Sequence, residues 1–130
     1  MSSTLPIITV IVVNDQLAIC KMWQQLIERT AGMTCPAYAE DGETAIELVR
    51  DVRPDVVMMD VLMPGIGGDE ATKRIHDEFP ETVVIMYSAA SKGEKIAHEA
   101  GAEEFLLMPV PPAQLASTIR RVYEEKHNRD

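Results

Sequence analysis

Basic residues are scarce in this chain: 12 Lys and Arg stand against 21 Asp and Glu, giving a net charge of -9. That deficit argues against wrapping nucleic acid, which needs a surplus of cations facing phosphate. No apolar stretch approaches the roughly 18 residues of a membrane span. The opening MSSTLPIITV has no basic segment ahead of its short apolar run, so it reads as no secretory signal and a cytoplasmic location is expected. The two cysteines, Cys20 and Cys35, lack metal-type spacing and read as reduced thiols filling the core. His76, His98 and His127 lie far apart, each in a segment that reads as a solvent-exposed helix, and are expected to be surface side chains and not metal ligands. Internal repeats, linkers and low-complexity tracts are missing as well. What is left is one domain over residues 1–130, with a core of about 7–124 and a polar, fraying tail after it.

Two kinds of segment alternate along that domain. Short β-rich runs occur at Thr9–Val13, Thr34–Tyr38, Asp55–Met59, Thr82–Tyr87 and Glu103–Leu107. Between them the apolar residues follow a helical period. Ala45, Ile46, Leu48, Val49 and Val52 form one stripe; Ala71, Ile75 and Phe79 form a second. Leu115, Ile119, Val122 and Tyr123 form a third, with Pro111-Pro112 marking its start. Strands one, three and four are nearly all apolar, as central parallel strands covered on both faces are. The second and fifth carry Thr34, Glu103 and Glu104 and read as edges. Right-handed crossovers then predict an open, doubly wound α/β sheet with ligands outside the carboxyl ends of its strands.

At those ends lie Asn14-Asp15, Asp60, Ser88 and Met108-Pro109. Strands end in turns and turns are polar, so each residue alone is unremarkable. Together, at one edge of a sheet, they predict a site. Two carboxylates there repel each other unless one is protonated or a cation lies between them, and magnesium suits such a pair because it takes oxygen ligands and keeps several waters. Nucleotide and flavin enzymes of this topology fit less well. "PGIGGDE" lacks the Lys-Ser/Thr ending of a phosphate loop and follows the third strand, and "NDQLAICK" is neither hydroxyl-rich nor glycine-rich. Trp23, roughly 12 Å along the first helix from Asp15, reads as a packing residue.

Four blocks in order carry a family resemblance: Asn14-Asp15, "DVVMMDVLMPGIGG", "VIMYSAAS" and "GAEEFLLMPV". Over nearly its full length the chain resembles the receiver domain of bacterial two-component response regulators. The resemblance implies a five-stranded (βα)5 flavodoxin-like fold with strand order 2-1-3-4-5. It implies a phosphoacceptor rather than a conventional enzyme, in which Asp60 takes a phosphoryl group from a sensor histidine kinase, a phosphotransfer protein or a small phosphodonor. Mg2+ would be bound by Asp15, Asp60 and the backbone carbonyl of Leu62, with Asn14 reaching it through a water. Ser88 would hydrogen-bond the phosphoryl group, Phe105 would be the aromatic switch, and the Met108-Pro109 peptide bond would be cis.

Three residues depart from the family pattern. Asn14 replaces the usual first acidic residue, Met108 the usual lysine, and Gly67 an acidic or amide residue. A thioether carries no charge with which to grip phosphate. Losing a lysine and an acid together leaves the pocket's formal charge unchanged, so the two changes are expected to compensate, with metal binding altered and switching weakened. The alternative reading is a phosphorylation-independent pseudo-receiver acting as an interaction module. Output is expected from a partner protein, with a homodimer possible through the face of the fourth helix, fifth strand and fifth helix. That face holds Lys92, Lys95, Glu99, Glu104, Arg120 and Arg121, and an ordinary solvated surface is its simpler reading.

Overall fold

Period-two alternation sorts the side chains of the central strands onto two faces, and each face recruits its own helices. The computed structural model describes residues 6–128. Its elements are β1 (Ile8–Val13), α1 (Leu17–Glu28), β2 (Met33–Ala39), α2 (Gly42–Val52) and β3 (Val56–Asp60). They continue with α3 (Gly68–Glu78), β4 (Val83–Ser88), α4 (Gly93–Ala100), β5 (Glu104–Leu107) and α5 (Pro112–His127). The strands pair in parallel in the order β2-β1-β3-β4-β5, the doubly wound arrangement expected from the pattern.

On one face Val10, Val12, Val56, Met58, Val83 and Ile85 pack against α1 and α5 through Cys20, Trp23, Ile27, Leu115, Ile119 and Val122. On the other, Ile11, Val13, Val57, Met59, Val84 and Met86 meet α2, α3 and α4 through Ala45, Val49, Ala71, Ile75 and Ala97. Fully burying one such aliphatic side chain stabilises by about 1.5–3 kcal/mol, so the helical stripes hold the sheet from both sides. Asp41 caps α2 by accepting the Thr44 N–H at 2.7 Å. Cys20 and Cys35 are free thiols in the first cluster. Burial pushes the Cys35 thiol up to about 12, so it stays protonated and unreactive.

Two expectations are corrected. His76 is no surface histidine: its Nε2 lies 3.1 Å from Glu103 Oε1 and 3.2 Å from the Thr82 carbonyl, half-buried at the foot of β5. His98 and His127 are exposed. Nor does the chain fray from residue 124, since α5 runs on to His127 and Lys126 Nζ reaches Glu103 Oε2 at 2.6 Å. Residues 129 and 130 of the tail lie outside the described residues.

Glu103 also accepts the Val84 N–H at 2.7 Å. Burial pushes its carboxyl up, but the hydrogen bonds from His76, Lys126 and Val84 outweigh that and hold it below the ordinary value. A carboxyl held low contributes stability above its unfolded pKa and loses it as pH falls. Glu103→Gln is expected to cost about 1–2 kcal/mol near neutrality and less in acid, read from urea unfolding at the two pH values.

Candidate functional site

The carboxyl edge of the sheet gathers the predicted residues at one place. β1 runs out at Val13 and hands the chain to Asn14-Asp15, β3 ends on Asp60, β4 on Ser88, and β5 leads into Met108-Pro109, whose peptide bond is cis. Asn14, Asp15, Asp60, Leu62, Ser88, Met108 and Pro109 all line one cavity of about 900 Å3. Phe105 does not line it. Its ring packs in the α3–α4 cluster beside Gly93, where an added Cβ would lie 3.2 Å from the ring and 2.8 Å from Ser88 Cβ. Phe105 and Ser88 thus flank the same glycine.

Asp60 is half-buried, and the Leu62 N–H donates to its Oδ1 at 3.3 Å. Burial raises its carboxyl to about 6, the nearby Asp15 charge adding to the effect and the Leu62 and Val61 N–H groups opposing it. Asp15 itself is exposed. A cation between the two carboxylates would relieve both their repulsion and part of the desolvation. No group of three or more His, Cys, Asp or Glu side chains among the described residues could hold a metal. The donors present are all oxygen and few, which fits magnesium, since it binds through one or two carboxylates and keeps its waters.

Ser88 is buried, and its Oγ accepts the Ala90 N–H at 3.1 Å, which leaves the hydroxyl proton free to be donated. Met108 is half-buried against the α1–α5 cluster, its N–H donating to the Ser88 carbonyl at 2.9 Å. Asn14 is 4% exposed and committed to the protein: Oδ1 accepts the Gln16 N–H at 2.8 Å and Nδ2 donates to the Tyr87 hydroxyl at 2.9 Å.

Tyr87 is the site residue that the sequence reading passed over. The β3–β4 register sets it opposite Asp60. Its hydroxyl donates to the Val13 carbonyl at 2.8 Å while accepting from Asn14, and its ring lies 4.5 Å from that of Trp23. Burial holds the phenol well above its usual pKa, so it remains neutral. A neutral Asn14–Tyr87 pair therefore fixes the end of β1 from β4, which orients the turn that carries Asp15. Tyr87→Phe orphans Asn14 Nδ2 and removes one donor from the Val13 carbonyl. It is expected to cost about 1–3 kcal/mol, measured by denaturant unfolding.

Comparison with known proteins agrees with this geometry. The family profile described as response regulator receiver domain matches residues 10–120. The chain is 30% identical over 114 residues to the chemotaxis protein CheY of Thermotoga maritima, covering 86% of this chain and 95% of that one. It is 39% identical over 105 residues to a protein-glutamate methylesterase/protein-glutamine glutaminase of Natronomonas pharaonis, covering 78% of this chain but only 29% of that protein. A LuxR-family two-component response regulator from Aurantimonas sp. SI85-9A1 superposes with a TM-score of 0.83 at 30% identity, covering 90% of this chain and 85% of that one. A sheet ordered 2-1-3-4-5, an acidic pair at its carboxyl edge and a profile match across most of the chain lead to one conclusion: this chain belongs to the response regulator receiver domain family.

Proposed function

We propose that Asp60 accepts a phosphoryl group, with Asp15, Asp60 and the Leu62 carbonyl holding Mg2+, and that the modification is relayed as a surface change to an output protein. The observation that carries this reading is a half-buried carboxylate at a central strand end, raised to about 6, sharing one cavity with Asp15 and Ser88. An Asp60 carboxylate oxygen attacks phosphorus in line with the bond to the donor; that bond breaks and its electron pair leaves with the donor atom, a phosphohistidine nitrogen or an acyl oxygen. The Ser88 hydroxyl donates to a phosphoryl oxygen, and the shift in Ser88 is felt by Phe105 across Gly93. Magnesium, when bound, neutralises charge on the transferring oxygens. Asn14, with both side-chain ends engaged, takes part only through a metal-bound water.

The donor would be a sensor histidine kinase or phosphotransfer protein. The α4–β5–α5 face is the candidate output surface. Arg121 there already pairs with Glu104 at 3.2 Å and Glu125 at 3.4 Å, which favours a solvated face over a charge-driven homodimer. The net charge of -9 opposes direct nucleic acid binding, and no described helix is long and apolar enough to cross a membrane.

Intact-protein mass after incubation with acetyl phosphate and magnesium tests the reading. One phosphoryl group should be gained, and lost in Asp60→Ala or with a chelator. A folded chain that gains nothing, beside a receiver that labels, would mean a pseudo-receiver. Met108→Lys separately tests the charge compensation: an ammonium beside the carboxylates should weaken magnesium about tenfold in calorimetric titration. An unchanged affinity would sink that idea.

A further inference from the structure

Asp15 is the middle residue of a closed turn. Asn14 Oδ1 accepts the Gln16 N–H across it at 2.8 Å, the local side-chain-to-backbone turn that asparagine favours. The rest of Asn14 is held as well. Its N–H donates to the Ala39 carbonyl at 3.1 Å, its carbonyl accepts from the Cys20 thiol at 3.2 Å, and its Nδ2 donates to the Tyr87 hydroxyl at 2.9 Å. An exposed aspartate thus rides on a buried and fully engaged neighbour.

Tyr87 ties this turn to Asp60. The strands lie in the order β1-β3-β4, so the tyrosine side chain leaves β4, crosses β3 and ends against β1. Two strand spacings are about 9.5 Å, a span that serine or threonine could not cover. The backbone of Tyr87 is in register with Asp60, and its carbonyl accepts the Val61 N–H at 3.0 Å. Its hydroxyl holds Val13 and Asn14, just before Asp15, while its ring packs on Trp23 of α1, just beyond. One residue therefore braces the strand that ends on Asp60 and both sides of the turn that carries Asp15.

We propose that Tyr87 is a positioning residue, which sets the spacing of Asp15 and Asp60 and thereby selects magnesium over larger divalent cations. The inference rests on the acidic pair holding magnesium, as proposed above, but not on phosphorylation itself. Magnesium demands near-ideal geometry at about 2.0–2.1 Å, whereas calcium accepts flexible arrangements at about 2.3–2.6 Å. Two carboxylates with no third acid beside them have little means of imposing that geometry, so the scaffold behind them must. Asn14 suits this task better than an aspartate would. The Tyr87 hydroxyl gives its proton to Val13 and can only accept from residue 14. It therefore needs the donor that an amide supplies and a carboxylate lacks.

Calorimetric titration of the parent chain and Tyr87→Phe, with magnesium and separately with calcium, tests it. Losing a group that orients a metal ligand weakens the metal about 10–100-fold. Tyr87 acts at one remove, through Asn14, so magnesium should weaken about tenfold and calcium by less than about threefold. Glu103→Gln, expected to lose comparable stability at the far end of the sheet, should bind both ions as the parent does. The double variant Asn14→Ala, Tyr87→Phe removes the orphaned amide together with its partner. It serves where Tyr87→Phe alone does not fold, and should show at least the same loss of preference. Unchanged magnesium affinity in a folded variant, or an equal loss for both ions, would overturn the proposal while leaving the magnesium site standing. A parent chain that binds no magnesium would overturn both the proposal and the cation site on which it rests.

Discussion

A Gly68→Ala substitution is expected to remove about 3 kcal/mol or more of stability, with phosphoryl labelling lost alongside. Gly68 is the buried first residue of α3, and a Cβ there would collide with the backbone carbonyl of Asp60 while coming within 3.1 Å of Met59 Cγ. Neither side can yield cheaply. Asp60 is paired across the sheet with Tyr87, and the Gly68 N–H donates to the Val61 carbonyl at 3.2 Å. Overpacking a core costs about 1–3 kcal/mol and occasionally more; an obstacle made of backbone puts this case at the upper end. Gly67→Ala supplies the contrast, because the one close approach of its Cβ would be to Asp69 Oδ1 at 2.7 Å, the tip of a side chain that can rotate away. Its cost should stay within about 0.5 kcal/mol. Urea unfolding separates the two variants, and a Gly68→Ala chain as stable as the parent would refute the steric account.

Asp60→Asn should do two opposite things: abolish labelling and, in chelator at pH 7, make the fold more stable. The carboxyl is raised from its ordinary 3.8 to about 6, first by burial and then by the Asp15 charge, against the pull of the Leu62 and Val61 N–H groups. Between those values the folded chain binds more protons than the unfolded chain, so stability falls as pH rises through that window. Above it the ionised side chain is a liability that an amide lacks. At about 1.36 kcal/mol per pKa unit the shift approaches 3 kcal/mol, but Asp60 is half-exposed and solvent screening reduces the gain to roughly 1 kcal/mol. Scanning calorimetry should find the variant's advantage at pH 7, lose it near pH 4, and lose it again when magnesium stabilises the parent chain. With magnesium bound, which favours the ionised carboxyl, labelling of the parent should fall off only at more acidic pH than the metal-free titration of Asp60, because only the carboxylate attacks.

The fold was legible because its two signals, apolar strands and amphipathic helices, are local. Val10 and Ile11 declare opposite faces by adjacency, and Ala71, Ile75 and Phe79 declare one stripe by spacing. The acidic pair was legible for a related reason: an aspartate closing an apolar run is conspicuous, and topology alone brings strand ends together. What stayed hidden depends on partners distant in sequence. Tyr87 looks like any aromatic in a strand until its hydroxyl meets Val13, 74 residues away. His76 sits on a polar helix face by its period, yet its partner Glu103 is 27 residues on. The polar composition after residue 124 spelled a loose end, yet an ion pair from Lys126 to Glu103, 23 residues back, ties that turn to the sheet.

Glu103 sets the mechanics of the proposed output face. One carboxylate pins α3, β4, β5 and α5 together at the amino end of the sheet, while the proposed phosphoacceptor lies at the carboxyl end. A body clamped at one end answers a push at the other by pivoting, and its travel grows with distance from the clamp. Phe105 lies two residues beyond Glu103, on the short arm of this lever, and Met108 five residues beyond, on the long arm. Loosening the clamp would turn the pivot into a slide, so that a partner would see a displaced face instead of a tilted one.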